Sequence, residues 1–391
     1  MSADKPFLTA FLPRAVCFCP KFAILINITL EYMKKFLMIM AALTVTMSLT
    51  ACGKEQKVKE LEELGQNETT QDSKVVVAYV TSWTTVVPNP DRITHINYAF
   101  GGVAKDFSTL EIDNVSRLES LVKLKSKSPK LKICLSVGGW GRGNFSEMAA
   151  SDEYRKAFAA DCAKKVKSLN IDGIDIDWEF PTNSSAGISA SPNDKANFTL
   201  LMKDLREALG KGKLLTLATV CSAQYIDFND ILPYIDFVNI MAYDMASAPY
   251  HNAPLYRTDA NGKVSPYVGY MTVDESVEAH LKAGMPAEKL VLGMPFYGHG
   301  NGKDYDGYVD YRDNKGPKAG HQELWDEIAK VPYYANAQGK LLLGFDNVRS
   351  IREKCNYIKG KGLKGGMYWD YGADNDAGDL SKAVAFVLIG K

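Results

Sequence analysis

Ile171-Asp172-Gly173-Ile174-Asp175-Ile176-Asp177-Trp178-Glu179-Phe180-Pro181 alternates apolar and acidic residues with period two, the pattern of a β-strand. Asp175, Asp177 and Glu179 then share one face, and Ile174 and Ile176 share the other. A row of three acids suits a solvated outer face as well as a buried inner one. The apolar runs elsewhere in the chain decide between these readings. They are nearly continuous rather than alternating, as in parallel strands covered by helices. In a barrel of such strands the second face looks into the interior. Acids placed there repel one another, and burial disfavours their charged forms, so their pKa values rise. A protonated carboxyl beside an ionised one is what hydrolysis of an acetal needs.

Working outward, strand candidates lie at 75–80, 93–100, 132–137, 171–177, 214–220, 237–242, 289–294 and 365–369. Helical periodicity fills 114–125, 153–169, 194–209, 273–283 and 351–361. Strands alternating with helices imply parallel strands joined by right-handed crossovers. Eight such units predict an α/β fold, a (β/α)8 TIM barrel, with an insertion between the seventh and eighth strands. The competing doubly wound sheet wants a glycine-rich turn after the first strand. The chain reads Thr81-Ser82-Trp83-Thr84 there instead.

The 391 residues carry 46 basic and 46 acidic side chains. Nothing in that balance favours nucleic acid or an acidic membrane surface, and a neutral polymer fits as substrate. Residues 1–51 read as an upstream extension and a lipoprotein signal peptide. Lys34 and Lys35 precede a largely apolar run over 36–49, which leads into Leu49-Thr50-Ala51-Cys52. That ending looks like a lipobox, with Cys52 lipidated and Met33 as the start. A transmembrane helix is the alternative, for which the run is short. Residues 52–73 are polar and form a tether, and 74–391 form the catalytic domain. The expected location is the bacterial cell envelope, lipid-anchored on the periplasmic or cell-surface side. Cys134, Cys162, Cys221 and Cys355 suggest neither a disulfide framework nor a zinc site, and read as buried thiols.

A barrel of this class carries its site at the C-terminal strand ends. The first strand runs into Trp83, the second ends in Phe100, and the third leads to Trp140. The fourth gives the carboxylates. The sixth gives Met241-Ala242-Tyr243-Asp244, the seventh Pro295-Phe296-Tyr297-Gly298, and the eighth Trp369-Asp370-Tyr371. Four of the five tryptophans sit at such ends. Of these, Trp178 reads as core packing and the others as faces on which sugar rings stack. Trp325 lies in a segment that reads as helical and structural.

Asp172, Asp175, Asp177 and Glu179 together resemble the D-x-x-D-x-D-x-E signature of family 18 glycoside hydrolases, the chitinases and their relatives. Ser136-Val137-Gly138-Gly139, Met241-Ala242-Tyr243-Asp244, Gly293-Met294-Pro295-Phe296-Tyr297-Gly298 and Gly365-Gly366-Met367-Tyr368-Trp369 resemble its other strand-end motifs, so the resemblance spans 75–385. It implies that Glu179 is the general acid and base. Asp177 would orient the substrate's acetamido group, with Asp175 below it sharing its proton. Tyr243 would bond the acetamido carbonyl, with Asp244 nearby. Trp369 would floor the sugar site, and Met241, Tyr297, Trp140, Trp83 and Phe100 would contact substrate. The implied mechanism is retaining and substrate-assisted, an exception to the scheme of two protein carboxylates. The implied partners are chitin, chitooligosaccharides or other N-acetylglucosamine glycans, acted on by a monomer without cofactor or metal.

Two features depart from the family pattern. The interval at about 299–348 is modest, which predicts a reduced insertion and a shallower groove. His299 stands where many relatives carry arginine, and the sequence assigns it no role. Other functions are open. An endo-β-N-acetylglucosaminidase acting on N-glycan chitobiose cores is one, although Trp178 and Phe180-Pro181 look chitinase-like. A non-catalytic chitin-binding lectin is another, although such proteins usually lose the acid. A metal enzyme could use Asp175, Asp177 and Glu179 as oxygen ligands, but the aromatic strand ends do not suit it.

Overall fold

The computed structural model describes residues 74–391. The expected signal, Cys52 and the tether lie outside the described residues. Eight parallel strands close on themselves: Val75–Thr81, His95–Val103, Lys132–Gly138, Gly173–Asp177, Leu214–Val220, Phe237–Met241, Leu290–Pro295 and Gly365–Trp369. The first strand pairs with both the second and the eighth, which completes the (β/α)8 barrel. A short antiparallel strand, Leu110–Ile112, is added outside the second.

The barrel strands are buried on both faces, which is why their sequences read as unbroken apolar runs. Helices Asp152–Ser168, Asp194–Leu209, Val273–Lys282, Val348–Gly360 and Asp379–Ile389 cover the outside. Ser151 caps the first of these, and Thr272 and Glu275 form a capping box on the third. Such caps satisfy amide groups that the helix leaves unpaired. Trp178 is on the outward face of its strand, stacked on Phe145 at 5.3 Å and near Phe198. It is core packing, as its apolar surroundings imply. Cys134, Cys162, Cys221 and Cys355 are buried free thiols.

Between the seventh and eighth strands stands a five-stranded antiparallel sheet of Tyr297–Gly300, Val309–Asp310, Gln322–Asp326, Val331–Ala335 and Leu341–Gly344. It has its own apolar clusters, one built on Tyr305, Tyr334, Leu343 and Phe345. Trp325 corrects the helical reading: it sits in the strand Gln322–Asp326, paired with Val331–Ala335. The Arg349 guanidinium lies 3.8 Å over its ring. A helix is recognised by local period, whereas this segment is fixed by a partner strand. The chain returns to the barrel through Asp346, whose carboxylate meets fully buried Lys354 at 2.6 Å and also accepts from Ser350.

Candidate active site

The C-terminal strand ends enclose a cavity of about 500 Å³. Asp177, Glu179, Tyr243, Asp244, Met241, Tyr297, Trp83, Phe100, Trp140 and Trp369 all line it. Of the residues expected at the site, only Asp175 is not on the wall. It lies one step deeper inside the barrel.

Strand alternation produces this layering. Ser136, Asp175 and Thr216 are directly paired across the third, fourth and fifth strands, so their side chains meet at one level. Asp175 is fully buried. Its Oδ1 accepts from Thr216 Oγ1 at 2.5 Å and from Asn239 Nδ2 at 3.2 Å. Its Oδ2 accepts from the Tyr79 hydroxyl at 2.7 Å and from Ser136 Oγ at 3.0 Å. Burial raises its pKa, and these four donors, Thr216 foremost, oppose the rise. Both oxygens of Asp175 are engaged by neutral donors.

Asp177, one inward position further up, is 4% exposed, and its Oδ1 has no hydrogen-bond partner among the described residues. Burial raises its pKa well above the carboxylate range, helped by the charges of Glu179 and then Asp175. Glu179, at the end of the row, is pushed up to about 7 by burial and by Asp244 across the cavity. The acid row therefore divides its labour. Asp175 is tied by four donors at the base, Asp177 lines the cavity with its Oδ1 buried and unpaired, and Glu179 can hold or release a proton near neutrality.

The surrounding positions depend on the backbone. Gly139 has φ of +92°, and a Cβ there would stand 2.7 Å from the Phe100 ring. Its amide donates to Asp177 O at 2.8 Å, so a small residue fixes both the second strand end and the fourth. Phe100 then stacks on Trp369 at 5.6 Å and 20°, with Trp83 at 6.4 Å from Trp369. Trp83 and Trp140 are each more than half exposed, unlike core tryptophans. Burial, with Asp177 next, keeps the Tyr243 phenol well above its ordinary pKa, so it remains a donor. Asp244 Oδ1 accepts from the Tyr297 hydroxyl at 2.6 Å and meets His299 Nε2 at 2.7 Å.

Sequence reasoning missed several contributors. Tyr79, Thr216 and Asn239 were hidden inside apolar strands, and their signal is a polar residue at an inward position of such a strand. Ser136 stood in a quoted motif without a role. Tyr308, from the insertion, lines the cavity with His299 and stacks on Tyr297 at 4.3 Å and 17°. No local pattern announces that contact.

The sequence model described as Glycosyl hydrolases family 18 matches residues 75–374. Chitinase A1 of Niallia circulans is 32% identical over 400 residues, covering 78% of this chain and 57% of its own. Chitotriosidase-1 of Mus musculus is 33% identical, covering 80% of this chain and 76% of its own. A solved structure of a glycoside hydrolase family 18 N-acetylglucosaminidase from Paenibacillus barengoltzii is 35% identical with a TM-score of 0.72. It covers 81% of this chain and 100% of that one.

Proposed function

The chain belongs to glycosyl hydrolases family 18, and on that premise we propose that its barrel hydrolyses β-1,4 bonds between N-acetylglucosamine units of chitin or chitooligosaccharides with retention. The observation that carries this reading is the cavity wall shared by Asp177, Glu179, Tyr243 and the Trp369 ring. A carboxyl group there suits the N–H of a 2-acetamido group. A phenol suits its carbonyl, and an indole face suits the apolar side of a pyranose.

In this reading the sugar stacks on Trp369 with its acetamido group between Asp177 and Tyr243. Glu179 protonates the glycosidic oxygen. The acetamido oxygen attacks the anomeric carbon, the glycosidic bond breaks, and an oxazolinium-like intermediate forms. Asp177 compensates its positive charge, and a charge met by a preplaced carboxylate needs no reorganisation at that moment. Ionised Glu179 then takes a proton from water, which opens the ring and restores the starting configuration. Holding the internal nucleophile close replaces a bimolecular encounter.

Product analysis on chitin oligomers beside a high-mannose glycopeptide tests the assignment. Chain-shortened oligomers support it. Cleavage of the glycopeptide alone replaces it with the N-glycan activity, and binding without cleavage of either replaces it with a lectin. The similarity to an N-acetylglucosaminidase favours a second mode on the same substrate, release of single sugars. Monosaccharide as the first product from a labelled tetramer selects that mode.

The lipobox-like Leu49-Thr50-Ala51-Cys52 supports anchoring of this domain to a membrane of the cell envelope through a lipid on Cys52. Cys52→Ser should move the protein from the membrane fraction to the soluble one, since the stretch after it is mostly polar and charged. Retention of the serine variant on membranes rejects the anchor.

A further inference from the structure

His299 stands on Tyr297–Gly300, the strand that leaves the barrel and opens the insertion sheet. Its ring makes two contacts in opposite directions. Nδ1 is 2.6 Å from Gly307 O, and Nε2 is 2.7 Å from Asp244 Oδ1. A carbonyl oxygen only accepts, so Nδ1 carries a proton. Asp244 Oδ1, which accepts the Tyr297 hydroxyl proton, faces Nε2 as an acceptor, so Nε2 carries one too. The geometry is that of an imidazolium joining the sixth strand end to a turn of the insertion.

That turn presents Tyr308. Its ring lies parallel to Tyr297 at 4.3 Å and edge-on to His299 at 6.1 Å. Its hydroxyl is bonded to the Trp369 side chain and to the Asp310 carboxyl, the second titratable group of the insertion beside it. Tyr308 is 48% exposed, and its free surface faces the cavity floored by Trp369. The ionisable groups around His299 are Asp244 from the sixth strand end, Tyr297 from its own strand and Tyr308 from the insertion. Tyr243, Asp177 and Glu179 share the cavity wall.

Resting on the chitinolytic reading above, we propose that His299 is a positioning residue. Bonded at both nitrogens, it pins the Gly307–Tyr308 turn as a wall of the sugar site and so governs how tightly the sugar over Trp369 is held, not the bond-breaking step. Tyr308 is the substrate-contacting residue through which it acts.

The pair is sensitive to occupancy. The Asp244 side chain is 58% exposed in the open cleft, so water screens its attraction to His299. A sugar covering it lowers the local dielectric and strengthens that attraction. Coupling is reciprocal: if sugar favours the protonated ring, the protonated ring favours sugar. Burial lowers the His299 pKa, but the Asp244 and Gly307 bonds outweigh it and the net direction is upward. The clamp is complete below that raised pKa. It loses one bond as pH rises through it, when the neutral ring keeps a single proton.

The test uses the full chain carrying Glu179→Gln, which removes both cleavage and the titration of Glu179. Binding of the N-acetylglucosamine tetramer is measured by calorimetry from about pH 5 to about pH 9, bracketing the histidine range. With His299 present, affinity should fall roughly fivefold or more, the usual lower size of such coupling. His299→Arg, a permanently charged donor, should flatten the profile at the high-affinity level. His299→Gln, with one donor, should flatten it at the low level, as should Tyr308→Ala. In otherwise wild-type protein, His299→Gln should raise KM and leave kcat nearly unchanged. Affinity independent of pH with His299 present, a slope undiminished in His299→Arg, or a loss confined to kcat overturns the proposal. Such results leave the chitinolytic reading standing if wild-type protein still cleaves the tetramer. Absence of both binding and cleavage removes that reading and this inference together.

Discussion

Asp175 and Asp177 lie two residues apart on one face of one strand, yet Asp175 accepts four hydrogen bonds while Asp177 keeps a buried oxygen with none among the described residues. The first is tied into the strand ladder on both oxygens, and the second is not. Their separate roles come from neighbours supplied by other strands.

Thr216→Val should test the anchor. It is nearly isosteric but removes the donor 2.5 Å from Asp175 Oδ1. Leaving a buried charged acceptor short of a partner costs about 1–3 kcal/mol. Denaturant unfolding should show a loss of that size, and activity should fall as the acid row shifts. An unchanged midpoint would mean that Asp175 does not depend on the Thr216 bond for its place in the barrel.

Glu179→Gln should bind chitooligosaccharide nearly as the wild type does and lose turnover by about 10²- to 10⁴-fold, the usual contribution of a positioned proton donor. Single-turnover assays beside calorimetric binding measure the two separately. A glutamine variant that keeps a tenth of wild-type turnover rejects Glu179 as the acid.

The same residue links pH to both rate and stability. Its folded pKa is about 7, raised by burial and then by Asp244, against an ordinary 4.5. Between those values the folded chain holds more protons at this position than the unfolded chain, so its contribution to stability falls as pH rises. A shift of that size corresponds to about 3 kcal/mol. Glu179→Gln should therefore gain on the wild type in denaturant midpoint from about pH 5 to about pH 8, while wild-type kcat/KM falls above about pH 7 as the acid ionises. Parallel stability profiles for the two proteins would contradict the raised pKa.

If the acetamido group is the nucleophile, partially deacetylated chitosan should be cut only where N-acetylglucosamine occupies the Trp369 site. Mass spectrometry of the products then finds that sugar at the new reducing end. Glucosamine there as often as N-acetylglucosamine calls instead for a protein carboxylate as nucleophile. Asp177→Asn should lose more in kcat than in binding, because its charge matters most as the ring forms.

The barrel is legible in the sequence because parallel strands buried on both faces leave nearly unbroken apolar runs. The helix Asp194–Leu209 and the strands Leu214–Val220 and Gly365–Trp369 fall where periodicity places them. Helix Val348–Gly360 begins earlier than its apolar pattern, because Asn347 caps it through the Arg349 and Ser350 amides. The insertion strands are less legible, since antiparallel pairing such as Trp325 with Pro332 is set by the partner. Within the site, the acid row and the aromatic strand ends announce themselves by residue type. Thr216, Asn239 and Tyr308 do not, because ordinary residues acquire their roles only from contacts distant along the chain.

The four sheltered thiols carry a consequence for recovery after damage. Cys134 is in the third strand, Cys162 and Cys355 are in covering helices, and Cys221 follows the fifth strand. Burial raises the pKa of each, to about 11 for Cys221 and about 12 for Cys355. In the native state they are poor nucleophiles and resist oxidation. Once the barrel opens, all four become ordinary thiols, and in an oxidising medium mispairing competes with refolding. Heat inactivation in air should therefore be a one-way event whose reversibility returns with a reductant, so that survival is set by how seldom the barrel opens.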